Sequence, residues 1–598
     1  MIRSTLKRSE CCGGGYAGEN IGLRCGSRQG MFFEDIDTST RIVYSGEIYN
    51  YSELRNELEA LGVKFRSGLD SELLLHAYAE WGAGCQEKLN GGWAFAIWDG
   101  RKRELFCSRD RFGLRPFYYF LNGDLFVFGS KIAELFSCQA IKKEPNSGAI
   151  FDYLAFNRSE FSEKTFFKDI KQLEAGCWLL LSPGKEPVTN RYYSPRYNPE
   201  MGEFNEKTLK KYSAEFLELL KSSIRARMLP PYPAGGTLSG GMDSSTICRL
   251  ADRIFGEKES GCGSRSEKLK IFSIGWKDEL KYIKEVSGAV FSSHYLIRPE
   301  EAGEISWGEM EKAVLASEIP LTSTSEIGHI MVAKKAGSEK VKVLFDGCGG
   351  DELLGGYPGR YFNAYLNQII CGGDIPRFVK EFKTLYSNRL REFGIDGEMD
   401  PGFYKIFLKT QSGAPQLSEF FLDETVDRSF LRKYSSLSRP SPRLFLNLQQ
   451  ILWADTLNLG NDYNLPGLIR YRYPFLDHRL VEYVFSLPAC YKIHNGWTKY
   501  LLRTAMSDIL PKGVCWRKEK IGGMVPISIW KDFLRRHRNK LNDLLTGRKF
   551  YSEGFLNQKA IVKRLDALFE AAVSPGTTDI SGLWRFANLE LWLRKNMR

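Results

Sequence analysis

A chain of 598 residues, 43% hydrophobic and 26% charged, is too apolar to stay disordered and long enough for two or three domains with large cores. No stretch approaches the roughly eighteen uninterrupted apolar residues of a membrane span, and the basic first ten residues lack a signal-peptide apolar run, so a cytoplasmic protein is expected. The net charge of +12 would suit a nucleic-acid partner. However, 84 basic residues are interleaved with 72 acids and gather only at Arg535-Arg536-His537-Arg538, which a solvated helix face explains as well as an RNA contact.

The first half reads as sheet and helix. Ser52 is expected to cap a helix with Leu54, Leu58 and Leu61 on one face and Gly62 as its stop. Asp70-Ser71 then precede a helix bearing Leu74, Tyr78 and Trp81, closed by Gly82. Trp93–Trp98 and Leu105–Ser108 form a hairpin around the polar turn Asp99–Arg103, and strands follow at Leu125–Phe128 and Cys177–Leu181. The Pro/Gly-rich, acidic stretch around 183–206 is the expected boundary, dividing domains 1–190 and 205–598. Thirteen cysteines without a CxxC pair argue for free thiols rather than a zinc site.

In the second half a short strand ends at Thr237-Leu238 and opens into Ser239-Gly240-Gly241-Met242-Asp243-Ser244-Ser245, before a helix whose apolar face is Ile247, Leu250, Ala251 and Ile254. That is a phosphate nest on a helix N-terminus. Ser239, Gly240 and Gly241 let backbone N–H groups approach a pyrophosphate, the hydroxyls of Ser239, Ser244 and Ser245 add donors, and Asp243 is suited to the accompanying Mg2+. A kinase-type GxxxxGK[ST] loop is excluded because its lysine is missing. The loop resembles the SGGxDS loop of the ATP pyrophosphatases. Two further buried-strand patterns, Lys270–Gly275 and Val341–Phe345, predict a parallel sheet with ligands at its carboxyl edge. The second runs into Asp346-Gly347-Cys348-Gly349-Gly350-Asp351-Glu352, so Asp243 and Asp351 are expected to share the metal.

Five separated runs together resemble the glutamine-hydrolysing asparagine synthetase family over roughly residues 31 to 535: Ser45–Tyr51, Arg109–Pro116, the SGGMDSS loop, the DGCGGDE loop and Pro474–Glu482. The resemblance implies an α+β N-terminal αββα sandwich of the Ntn glutamine amidotransferase type and an α/β C-terminal ATP-pyrophosphatase domain built on a parallel sheet. It implies ATP and Mg2+ as cofactors, with small-molecule substrates: aspartate or a related acid, and ammonia or glutamine. A homodimer is the assembly it leaves open. Leu238, Ile274, Asp346 and Gly347 would border the nucleotide, and Ser45, Gly46, Glu47 and Asp70 would be the remnant of a glutamine site. Lys520, in Lys520-Ile521-Gly522, would oppose transition-state charge, with Lys518 as the competing register.

The departures are chemical. The family's nucleophilic cysteine follows the initiator methionine, where this sequence has Ile2, and its oxyanion asparagine is replaced by Ser45. Cys11 and Cys12 lie too close to Gly46 along the chain to substitute, so the glutaminase is expected to be degenerate or its start truncated. The family's proton-taking glutamate in the second loop is replaced by Cys348, a poor base, which leaves Asp346, a water or the departing adenylate to accept the proton. Downstream, Asn461–Arg472 keeps the family arginine as Arg472 but has Arg470 where the family has glutamate, and His478 is expected to be structural. The expected activity is carboxylate adenylation followed by amidation, with AMP and pyrophosphate released. The alternatives are an amide ligase or cyclase on a peptide or other acid, a tRNA-modifying pyrophosphatase, and a catalytically silent homologue.

Overall fold

The computed structural model describes the strands at 3–6, 22–24 and 31–35, then residues 39–123, 125–156, 163–194, 196–228, 233–256, 269–276, 279–288, 293–298, 306–317, 319–321, 325–357, 361–371, 469–517, 527–574 and 581–597, with scattered positions between 373 and 384. Its first part contains β1 (Arg3–Leu6), β2 (Gly22–Arg24), β3 (Met31–Asp35), β4 (Thr40–Ile48), β5 (Gly91–Asp99), β6 (Glu104–Arg109), β7 (Tyr118–Asn122), β8 (Leu125–Gly129), β9 (Ile170–Gln172), β10 (Cys177–Leu181) and β11 (Val188–Arg191). They form a six-stranded sheet, β11-β10-β6-β5-β4-β3, and a five-stranded sheet, β2-β1-β8-β7-β9. Successive residues of a strand face opposite ways, and here each face finds its own core. Ile42, Tyr44, Phe95 and Ile97 meet Leu54, Leu58, Leu73 and Leu74 of the two helices. Val43, Ala94 and Ala96 meet Tyr119, Phe126 and Phe128 of the other sheet, together with Phe117 just before β7.

Helix ends depart from the sequence reading by a residue or two. The first helix runs Tyr51–Ala60 with Asn50 at its N-cap, so Ser52 lies inside the first turn, and Leu61 is 54% exposed beyond the helix end. The second runs Asp70–Trp81 with Leu69 as cap, and Gly82 ends it at a positive φ of 55°. Asp70 is therefore a first-turn residue, and its carboxylate turns away from the helix end to accept from Tyr44 Oη (2.9 Å) and Ile48 N (3.1 Å).

The second part carries β12 (Ala234–Thr237), β13 (Lys270–Ile274), β14 (Ser293–Ile297), β15 (Val343–Phe345) and β16 (Arg470–Arg472) in the order β14-β13-β12-β15-β16. Every pairing is parallel. The helix Met242–Gly256 buries Ile247, Leu250, Ala251 and Ile254, as the periodicity predicts. β16 is new. Its three residues, two of them charged, make no apolar run, yet they pair with β15 from Val343↔Arg470 to Phe345↔Arg472.

The C-terminal helices Ile527–Arg536, Arg538–Thr546, Gln558–Val573 and Ser581–Asn596 pack on the outer face of the five-stranded sheet. Trp530, Phe533 and Trp592 share one core with Tyr118, Phe120, Val127, Phe166 and Phe167. The basic run within these helices is an ion-pair seam. Arg535 pairs with Asp532 at 2.8 Å, while Arg538 pairs with Asp566 at 2.6 Å and covers the Phe569 ring at 4.4 Å. No helix among the described residues is long and apolar enough to cross a membrane.

Candidate active site

The serine-glycine loop lies where β12 ends and a fifteen-residue helix begins. Gly240 turns at φ 72°, and a Cβ there would stand 3.0 Å from Ile283 N, so the loop needs glycine both for its turn and for its approach to the next layer. Ser239 and Ser244 brace the turn, their hydroxyls 2.9 Å apart, and Ser244 Oγ accepts from Ser239 N at 3.2 Å. Ser245 is fully buried, and its N–H donates to Gly241 O at 3.1 Å.

The second loop, at the end of β15, brings Asp351 toward Asp243, and between them stands Lys499. Its ammonium contacts Asp243 Oδ2 and lies 2.6 Å from Asp351 Oδ1. Lys499 is 6% exposed, and although burial disfavours its charge, the two carboxylates outweigh it and hold the pKa above the ordinary lysine value. The residue sits at φ 55° immediately before the helix Tyr500–Met506. Glycines make room for the cluster: a Cβ on Gly350 would stand 2.6 Å from Asp243 Oδ1, and one on Gly356 only 1.9 Å from Asp351 Oδ1 and 2.1 Å from Lys499 Cε. The sequence reading missed Lys499. Its one local signal is the Asn495-Gly496 turn ahead of it, where both residues have positive φ.

Around this edge lie the other nucleotide-side residues. Leu238 is buried and Ile274 closes β13. Asp346 Oδ1 accepts from Cys348 N at 2.9 Å, and Oδ2 accepts from Thr237 Oγ1 at 2.5 Å. Gly347 packs against the first loop, where a Cβ would stand 2.6 Å from Ser244 N. Lys520 and Lys518 lie outside the described residues, as do Ile2, Cys11, Cys12 and 461–468.

Comparison with known proteins shows the family. An asparagine synthase family model matches residues 215–594, and a glutamine amidotransferase domain model matches residues 21–193. The chain belongs to the asparagine synthase family. Among its relatives, asparagine synthetase [glutamine-hydrolyzing] 3 of Bacillus subtilis is 28% identical over 511 residues, which span 83% of this chain and 77% of that one. Asparagine synthetase [glutamine-hydrolyzing] 1 of the same organism is 30% identical over 520 residues, again 83% and 77%. Amidase chyE of Penicillium rubens is 24% identical over 588 residues, 90% of this chain and 84% of that one. The protein is a ligase that forms C–N bonds in an ATP-dependent amidation.

Two of the residues expected to form a glutamine-site remnant, Glu47 and Asp70, have partners within the protein. Glu47, at the end of β4, is gripped by Arg472 Nε and Nη2, both at 2.9 Å, and by Arg470 Nη1 at 3.2 Å. Burial would raise its pKa, but Arg472, Arg115 and Arg470 pull it down to about 2. Both arginines come from the same face of β16, as strand alternation requires, while Tyr471 points the other way and donates to His329 O at 3.1 Å. Asp70 is held by Tyr44 and Ile48, and burial raises its pKa despite these bonds. Ser45 and Gly46 are fixed in the β4–β5 ladder opposite Ala94 and Trp93.

Two family-like runs prove to be scaffold. Asp110 is fully buried and accepts from the backbone N–H groups of Trp93, Phe112, Leu114 and Arg115, which shapes the loop Arg109–Pro116. Asp477 caps the helix His478–Ser486 by accepting from Arg479 N, and pairs with Arg227 at 2.9 Å while each is 1% exposed. Asn90 Nδ2 reaches the same carboxylate from the N-terminal sheets at 3.2 Å. His478 beside it has its pKa lowered to about 4 by burial and by Arg111, in keeping with a structural role.

Proposed function

We propose that the protein adenylates a carboxylate, aspartate or a close relative, and that ammonia then displaces AMP, pyrophosphate having left in the first step. The observation that carries this reading is the meeting of the serine-glycine nest with the Asp243–Lys499–Asp351 cluster at one carboxyl edge. The nest and the helix N-terminus offer N–H groups and partial positive charge to a pyrophosphate leaving group. Lys499 supplies a fixed cation in a water-poor site, where it opposes charge as it develops. The donor set fits Mg2+, which takes one or two carboxylates together with phosphate oxygens and waters: Asp243 and Asp351 would hold it, and it would screen the triphosphate. Leu238 and Ile274 give the nucleotide an apolar border, with Asp346 and Gly347 beside it.

Free ammonia is the proposed nitrogen source, because Glu47 and Asp70 are already paired within the protein. A second reading, an amide ligase or cyclase on a different acid, draws support from Asp346 and Cys348 in the acceptor-side loop. ATP–pyrophosphate exchange across a panel of carboxylates separates the two. Exchange with aspartate supports the first, exchange only with another acid the second, and tRNA-dependent AMP release or no exchange at all overturns both. In either case Asp243→Asn and Asp351→Asn should each abolish exchange, and near-normal exchange in both would remove the nucleotide site from this edge.

A further inference from the structure

The amidation half of the reaction needs a proton acceptor. An amine that attacks an acyl adenylate becomes cationic, and the tetrahedral intermediate collapses productively only once that proton has left. Cys348, in the position from which the family glutamate would act, is a thiol and a weak base at neutral pH. A better-suited group stands on a different element. The helix Ser325–Ser338 packs on β13 and β14 and carries His329 to the carboxyl edge of the sheet. There His329 Nε2 lies 4.0 Å from Asp346 Oδ2, with 17% of the side chain exposed.

Asp346 is immobilised by Thr237 Oγ1 and Cys348 N, so the histidine faces a carboxylate of fixed position. Tyr471 fixes the other side. Its hydroxyl bonds the His329 carbonyl at 3.1 Å, and the two rings lie 5.7 Å apart. Burial lowers the imidazole pKa against the opposing pull of Asp346, which keeps the ring neutral near pH 7 and able to accept. At 4.0 Å His329 Nε2 and Asp346 Oδ2 face each other beyond hydrogen-bond distance.

We infer that His329 is the general base of the amide-forming step and that Asp346 stabilises its protonated form. The inference rests on the ligase reading above. With the ring proton on Nδ1, the amine lone pair attacks the carbonyl carbon and forms the C–N bond. One proton passes from the cationic nitrogen to His329 Nε2, the C–O bond to AMP breaks, and AMP leaves with the electron pair. The resulting imidazolium forms an ion pair with Asp346 and later returns its proton to solvent.

The test uses the full-length enzyme with ATP, Mg2+ and the acid that supports wild-type exchange, L-aspartate first, with ammonium or hydroxylamine as nucleophile. His329→Gln should slow amide formation from ammonium by about 10²–10³-fold. Exchange should fall by far less. Hydroxylamine should be spared most of the loss, because its adduct nitrogen is more acidic and sheds its proton without help. Equal losses in exchange and in both nucleophile reactions would make His329 structural and overturn the inference, as would a Cys348→Ala variant carrying the larger, ammonium-selective loss. Nitrogen-15 NMR of histidine-labelled wild-type enzyme gives an answer that does not depend on a variant folding. A neutral His329 protonated on Nδ1 at pH 7 is expected, and a ring charged or protonated on Nε2 would refute the step. Absence of wild-type exchange with every acid would instead bring down the ligase reading itself.

Discussion

Replacing Lys499 with methionine removes a charge and keeps most of the volume. In the structure this ammonium touches Asp243 and lies 2.6 Å from Asp351, buried from water. A unit charge acting at about 4 Å through an effective dielectric near 20 is worth about 4 kcal/mol. At about 1.4 kcal/mol per decade, adenylation in Lys499→Met should fall by roughly a thousandfold. Stability should also suffer, because breaking a buried pair from one side costs about 3–5 kcal/mol, here in the form of two facing carboxylates without a cation. Mg2+ is expected to recover much of that loss by replacing the missing charge, so it should raise the urea midpoint more in the variant than in wild type. ATP–pyrophosphate exchange and urea unfolding with and without Mg2+ measure the two effects. Exchange within threefold of wild type would refute the reasoning, and a thousandfold loss confined to Lys520→Ala or Lys518→Ala would move the role to that segment.

Gly356→Ala should spare the fold yet cripple exchange, since its Cβ would occupy the space of Asp351 Oδ1 and Lys499 Cε; an active variant would show that the cluster tolerates displacement. Glu47→Gln should lower the urea midpoint at pH 7 by loosening Arg472 and Arg470. Because the folded pKa of Glu47 is about 2, below its ordinary 4.5, this stabilisation is present above pH 4.5 and lost as pH falls toward 2, so wild type and variant should converge there. Amide formation at matched donor concentrations should proceed with ammonium and fail with glutamine. Steady glutamate release that disappears in a Cys12→Ala variant would overturn that expectation.

Much of the site was legible because its chemistry is local. The two glycine-rich loops each follow a short apolar strand, and the turn, the helix N-terminus and the acid all lie within a few residues of one another. Lys499 was not legible for the opposite reason: it is placed by tertiary packing, 148 positions after Asp351, and nothing next to it in sequence marks it as a partner of the acids. β16 escaped notice because an edge strand needs only backbone pairing, and three residues with charged ends carry no hydrophobic period. His329 lies on a helix, Ser325–Ser338, that the sequence reading did not single out. Its meaning appears only when β15 delivers Asp346 beside it. The shared core between the last helices and the first domain was hidden for the same reason, since periodicity reveals an apolar face without naming what covers it.

That shared core ties the C-terminal helices to the amidotransferase sheets whatever nitrogen source the protein uses. Trp592 is fully buried with its ring 5.4 Å from Phe166 and 5.2 Å from Phe167, and Asn588 Nδ2 bonds Tyr153 Oη at 2.7 Å. Pruning the amidotransferase sheets to obtain a minimal synthetase would strip the cover from these rings and leave an adhesive aromatic surface. Mutations can erase a nucleophile one residue at a time at little structural cost, whereas deletion of its scaffold would have to be accompanied by a rebuilt C-terminal helical layer. Shorter engineered versions should therefore begin by redesigning the face of Ser581–Asn596 before any boundary is cut.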